Sequence, residues 1–207
     1  MQTSAGLHSQ ANVKRPDAAA GNAVALVASA GGVVALGEVL AALPHDLGAA
    51  LIVVLHLLPE HRSHLAEILG RQTNLRVKEA EDGDLLETGC VFVAPPDAHL
   101  FVEGDGTLSL RSDPPVRHLR PNGDLLLESL AATYDDDCLA VVLTGSGNDG
   151  TVGARAVKRS GGTVLAQDEA TSEYFGMPGA AIDAGVVDRV LPLGAIAPAV
   201  VDFVASR

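Results

Sequence analysis

Three residues of complementary chemistry lie beyond the ends of apolar runs of this sequence. Ser29 ends "AVALVAS", His56 ends "ALIVVLH", and Asp149 follows "LAVVLTGSGN". A serine hydroxyl is a weak nucleophile until an imidazole takes its proton. The imidazole in turn needs a carboxylate to fix its tautomer and offset its charge. The three are the parts of a hydrolytic triad if the fold delivers them to one place. Each also has a plainer role. Ser29 could cap the helix that follows it, His56 could be a satisfied structural histidine, and Asp149 could be a helix-start acid favoured by the dipole. The elements that carry them decide between these roles.

The chain alternates between strand and helix patterns. "AVALVA" (23–28) reads as a buried strand, "GVVALGEVLAAL" (32–43) as a helix, "ALIVVLH" (50–56) as a strand and "EHRSHLAEILGR" (60–71) as a helix. The middle differs. "RVKEA", "CVFVAP", "HLFVEG" and "TLSLRS" are short strands punctuated by Asp-Gly and Pro pairs, as in hairpins. Asn122 then caps the helical "GDLLLESLAATY". Strand 139–144, helix 149–160, strand 162–167, a short helix near 178–184, a strand near 186–191 and a last helix, 194–206, complete the chain. The pattern predicts an α/β fold: a doubly wound, mostly parallel sheet with helices on both faces and an antiparallel hairpin insert. Ligands of such sheets sit outside the carboxyl ends of the strands. Ser29, His56 and the group Thr144, Ser146 and Asp149 fall there.

The same stretch offers a competing motif. Gly145-x-Gly147-x-x-Gly150 follows a strand and opens a helix, and Asp168 ends the next strand, as in a dinucleotide fingerprint. In that fingerprint the helix N-terminus faces a pyrophosphate. Asp149 would put a carboxylate beside that anion, so the loop is read as carrying a functional acid and no cofactor is expected.

Composition narrows the classes further. The formal charge is −12 with no basic stripe to offset it, which argues against a nucleic-acid or anionic-membrane partner. Trp is absent and aromatics make up 3% of residues, so the core must be built from Val, Leu, Ile and Ala. Cys90 and Cys138 sit in apolar runs and read as buried free thiols. No apolar run approaches membrane-spanning length. Residues 1–21 read as a disordered tail, residues 22–207 as one domain, and the location as cytoplasmic. His61 and His64 lack the spacing and fourth ligand of a zinc site and are read as surface residues, so no metal is expected. Asp135–Asp137 reads as a solvated turn.

Beyond single residues, several separated segments resemble one family. These are "ASAGG", "LHLLPEHRSHLAEIL", "VKEAEDGDLLETGCVFVAPPDAHL", "PPVRHLRPNGDLLLESLA", "VVLTGSGNDGTVGARAVKRSGGTVLAQDEAT" and "FGMPGAAIDAGVVDRVLPL". In this order they resemble the catalytic domain of the chemotaxis protein-glutamate methylesterases, CheB, over about residues 24–196. The resemblance implies a Ser-His-Asp triad of Ser29, His56 and Asp149. It also implies hydrolysis of glutamate methyl esters on receptor signalling proteins, with glutamine deamidation as a second activity. Backbone N–H groups near Ala30 and Ser146 would hold the oxyanion; the family often has Thr and Met at these two positions. His99 and His118 would lie at the cleft rim as candidate substrate contacts. Chemotaxis members usually carry an N-terminal receiver domain. Residues 1–21 stand in its place here, so control is expected from a separate regulatory partner or from expression. The alternatives are a serine esterase for small molecules and a catalytically silent signalling module on the same fold.

Overall fold

The computed structural model describes residues 15, 16, 18–56 and 63–207. Its nine strands and six helices are β1 (Asn22–Ala28), α1 (Gly32–Ala42), β2 (Ala49–Leu55), α2 (Leu65–Gly70), β3 (Arg76–Glu79), β4 (Cys90–Val93), β5 (His99–Val102), β6 (Leu108–Arg111), α3 (Gly123–Tyr134), β7 (Cys138–Val142), α4 (Thr151–Arg159), β8 (Thr163–Gln167), α5 (Gly176–Asp183), β9 (Arg189–Leu191) and α6 (Leu193–Ala205). Seven strands form one sheet in the order β3-β4-β2-β1-β7-β8-β9, every neighbouring pair parallel. Strands β1, β2, β4 and β7 are buried along their whole described length but for Asn22, as sheets covered on both faces require. Alternate residues of β1 point to opposite faces. Ala23, Ala25 and Val27 pack with α3, α4 and α5, whereas Val24, Leu26 and Ala28 pack with α1, α2 and α6.

The middle of the chain departs from the hairpin reading. Only β5 and β6 pair antiparallel, while "RVKE" and "CVFV" extend the main sheet as β3 and β4. The reason lies in where the Asp82-Gly83 turn finds its partners. Gly83 N–H donates to Leu108 O at 2.8 Å and Leu108 N–H to Asp84 O at 2.7 Å. That turn is spent on β6 and closes no hairpin between β3 and β4. The four successive buried residues Cys90–Val93 are the mark of an internal parallel strand.

Residues 57–62, which include His61 and the first three residues of the expected helix 60–71, lie outside the described residues, as do residues 1–14 and 17 of the expected tail. The described end of that tail packs on the domain. Ala20 is buried and donates its N–H to Leu86 O at 2.8 Å, and the Arg15 guanidinium lies 4.0 Å above the Tyr134 ring. Packing therefore reaches back past residue 22. Cys90 and Cys138 are free and buried, and burial pushes the Cys138 thiol up to about 11. Asp135–Asp137 forms a 3-10 turn after α3. No helix among the described residues is long and apolar enough to cross a membrane.

Candidate active site

Strand order places one topological switch in this sheet, between β1 and β7, where the chain builds outward in opposite directions. Ser29 leaves β1 and the 144–150 loop leaves β7 at that crevice, and His56 leaves the adjacent β2. The register pairs Ala28 with Leu55, and His56 N–H donates to Ala28 O at 3.3 Å. Ser29 and His56 are thus the next residues on strands about 4.8 Å apart. Continuing the alternation puts both on the face covered by α3, α4 and α5.

Asp149 meets His56 there. His56 Nε2 lies 2.7 Å from Asp149 Oδ2, with the imidazole 9% and the carboxylate 3% exposed. The carboxylate has three further donors: Gly123 N–H on Oδ2 at 2.6 Å, and Asn122 Nδ2 at 2.7 Å and Asp124 N–H at 3.1 Å on Oδ1. Burial pushes this carboxyl up. The hydrogen bonds from His56 and from the backbone of Gly123 and Asp124, with the attraction of His56, outweigh it and hold the group below the ordinary carboxylate range. An ionised carboxylate can only accept, so His56 Nε2 carries a proton, and in the neutral imidazole the lone pair is on Nδ1.

The plainer roles given for Ser29 and Asp149 do not describe these two residues. The N-cap of α1 is Gly31, with no side-chain cap bond. Ser29 instead works through its backbone, its N–H donating to Thr144 O at 3.0 Å and its carbonyl accepting from Gly32 N–H at 2.8 Å. Its hydroxyl makes no hydrogen bond among the described residues. Asp149 serves the first turn of α3, not that of the helix it precedes. Asn122 does cap α3, accepting Leu125 N–H at 3.1 Å.

The turn after β1 and the loop after β7 are locked together. Thr144 Oγ1 donates to Ala30 O at 3.0 Å and accepts Tyr174 N–H at 2.9 Å. Gly145 permits the approach, since a Cβ there would run into Met177 Sδ and come within 2.9 Å of Ser29 Cβ. Neither Ala30 N–H nor Ser146 N–H donates to a backbone carbonyl among the described residues. Both therefore remain without an acceptor among the described residues, and Ser146 is exposed to solvent. A cavity of about 430 Å³ opens next to this turn, its lining including Val34, Glu38, Thr144, Gln167 and Glu173. Two carboxylates in the wall make it a poor slot for an apolar ester.

Other expected positions sort themselves out. His99 is fully buried and donates Nε2–H to Pro114 O at 3.3 Å, which removes it from any substrate surface. It sits at the base of a small hairpin whose two-residue tip is Arg117–His118, between Val116 and Leu119. Both tip residues have positive φ, 48° and 69°, the signs of a type I′ turn. Arg117 reaches Asn148 Oδ1 at 3.3 Å, so the exposed His118 stands beside the glycine loop. His64 is exposed, 3.5 Å from Glu67. Sequence reasoning missed Asp124, whose carboxylate is buried against the start of α4. Its place in "RPNGDLLL" reads as an ordinary first-turn acid, and nothing in that string signals a partner in another helix.

The geometry also bears on the dinucleotide motif. Asp168, the acid that would hold a ribose, has Oδ1 occupied by Thr171 N–H at 3.0 Å and Thr171 Oγ1 at 2.6 Å. Calorimetric titration with NAD(H) should therefore show no binding. Micromolar affinity would overturn the assignment of Asp149 as a functional acid.

Comparison with known proteins agrees over nearly the whole chain. A model of the CheB methylesterase family matches residues 24–200. The protein-glutamate methylesterase/protein-glutamine glutaminase of Maricaulis maris is 40% identical over 193 residues, covering 92% of this chain and 47% of that one. The protein of the same description from Moorella thermoacetica is 43% identical over 185 residues, covering 87% and 44%. The chain spans about half the length of the curated relatives it matches. The crystal structure of the Thermotoga maritima CheB methylesterase catalytic domain superposes with a TM-score of 0.84 at 38% identity, covering 87% of this chain and 97% of that one.

Proposed function

We propose, from the premise that this chain belongs to the CheB methylesterase family, that it hydrolyses glutamate methyl esters on chemoreceptor-type signalling proteins and deamidates glutamines at such sites. The observation that carries this reading is the 2.7 Å contact of His56 with Asp149 on the strand-end edge where Ser29 leaves β1. In the proposed cycle Ser29 Oγ attacks the ester carbonyl while His56 Nδ1 takes its proton. The oxyanion lies against the N–H groups of Ala30 and Ser146. Collapse expels methanol, protonated by His56, and leaves an acyl-serine. Water then repeats the sequence to release the glutamate. A glutamine substrate follows the same path with ammonia as leaving group. Asp149 stays ionised and holds the ring throughout. Side-chain groups and backbone N–H donors complete this cycle, with no step assigned to a cofactor or metal.

Two features support a protein substrate over a small ester. The cavity beside the nucleophile turn is walled by Glu38 and Glu173, and the Ser146–Asn148 loop that follows Thr144 is exposed. A glutamyl side chain presented on a helix reaches such an open edge. A small apolar ester gains little there. The deciding experiment is methanol release from methylated chemoreceptor by the purified protein. Release no faster than from receptor alone would end this reading, whereas equal turnover of simple esters and receptor would favour the small-molecule esterase.

Thr144 supplies a further test. Thr144→Val keeps the shape but leaves Ala30 O without its donor and Tyr174 N–H without its acceptor. The nucleophile turn should loosen, with kcat falling about 10-fold or more and stability by about 1–2 kcal/mol in urea unfolding. An unchanged kcat would show that the turn is held by the sheet alone.

A further inference from the structure

Two helix starts exchange carboxylates beside this site. The N-cap of α4 is Gly150, which has no side chain to cap it, so the helix's first N–H groups need acceptors from elsewhere. Val152 N–H and Gly153 N–H both donate to Asp124 Oδ1, at 2.9 Å each. Asp124 belongs to the first turn of α3, and its own N–H donates to Asp149 Oδ1 at 3.1 Å. The acid before α4 thus caps α3, and the acid at the start of α3 caps α4. The contact is close, since a Cβ on Gly153 would come within 2.7 Å of Asp124 O.

Asp124 is not needed by its own helix, which Asn122 caps already. It is also an expensive residue to keep. It is 7% exposed, and burial pushes its carboxyl up, aided by the charge of Asp149 and opposed by Gly153 N–H, Val152 N–H and Arg117 at 3.9 Å. A buried acid with no duty to its own helix, bonded across to the helix behind the triad acid, has one evident use.

We infer that Asp124 is a positioning residue for Asp149, its carboxylate fixing the start of α4 so that the preceding loop holds Asp149 against His56. Ser146, Gly147 and Asn148 are exposed, and the loop's described side-chain anchors are the Arg117–Asn148 bond and those of Asp149 itself. Freed from Asp124, the start of α4 can shift, and a displacement of about 1 Å at a catalytic group costs on the order of 100-fold in rate. The inference rests on the proposed triad.

Two substitutions separate the acceptor from the charge. Asp124→Asn keeps an oxygen for Val152 and Gly153, with its amide facing the Arg117 side. Asp124→Ala removes the oxygen. The readouts are kcat and KM for methanol release and the low-field proton resonance of the His56 ring N–H donated to Asp149, assigned by its loss in His56→Gln. Asp124→Asn should keep the resonance and stay within about 10-fold of wild-type kcat. Asp124→Ala should lose or broaden the resonance and drop kcat about 100-fold with KM nearly unchanged. A retained resonance with kcat within about 3-fold would overturn the inference, as would a rise in KM alone. Should Asp124→Ala not fold, Asp124→Glu carries the test. It keeps the charge but displaces the oxygen by a methylene, so kcat should fall about 10-fold with the resonance shifted, and no change in either would overturn the inference. If the wild-type protein releases no methanol, the proposed reaction fails, while the resonance still reads whether Asp124 places Asp149.

Discussion

Ser29→Ala should lose methanol release by roughly 10⁴-fold or more while unfolding at the same temperature as the wild-type protein. Both halves of this expectation come from the same geometry. What Ser29 does for the fold it does through its backbone, bonded to Thr144 O and Gly32 N–H, and alanine keeps both bonds. Its hydroxyl bonds to nothing else among the described residues, so removal leaves no orphaned partner. The proposed cycle, by contrast, draws its nucleophile from this hydroxyl alone. Methanol release from methylated receptor, measured with matched thermal scans, checks the pair. A variant within about 10-fold of wild type would mean that water, or another group, attacks the ester, and the covalent cycle would have to be abandoned.

The fold and the positions of the proposed triad residues were legible from the chain because their signals are local. A short apolar run bounded by turn residues reads as a buried strand, and polar residues just beyond such a strand emerge at a sheet edge. That logic reached Ser29, His56 and Asp149 from three separate strands. It failed for "RVKE" and "CVFV", because an Asp-Gly pair announces a turn without saying which strand the turn will meet. Here it meets β6 through Gly83 and Leu108. It failed for His99 because an alternating strand shows which residues share a face but not what covers that face. The 114–119 segment turns out to close over it. The Asp124 role was invisible for a related reason. Helix-capping rules look three residues along the same helix, whereas Asp124 and Asp149 each reach the helix of the other. The alternative readings of Ser29 and Asp149 failed the same way, being sound local rules overridden by partners distant in sequence.

Asp149→Asn should cost the most of any single-atom exchange in the site. Four donors converge on the carboxylate: His56 Nε2, Gly123 N–H, Asn122 Nδ2 and Asp124 N–H. Asparagine offers one acceptor oxygen and one NH₂, so with the NH₂ in place of Oδ2 the Gly123 N–H faces another donor in a site 3% exposed, and Nε2 adapts only by giving up its proton. An orphaned buried donor together with a broken buried pair costs on the order of 3 kcal/mol. An amide NH₂ beside Nε2 also forces the imidazole to the tautomer protonated on Nδ1, which cannot take a proton from Ser29. A rate loss of about 10⁴-fold follows. The pH dependence carries a sign of its own. The Asp149 carboxyl is held below its unfolded value of about 3.9. Its contribution to stability is therefore fully present above that pH and lost as pH falls through the folded value. The gap in unfolding free energy between wild type and variant should be level above about pH 5 and close as the solution is acidified below about 4. Asp124 works in the opposite sense. Its raised carboxyl contributes stability below the unfolded value and loses it as pH rises through the folded one. Because Asp124 is present in both proteins, the difference isolates Asp149, apart from the part of the Asp124 rise that Asp149 itself causes. Urea unfolding of both proteins across this range reads the gap directly. A gap that widens on acidification would mean that burial outweighs the four donors, that Asp149 is easily protonated, and that it cannot hold His56 as the proposed cycle requires.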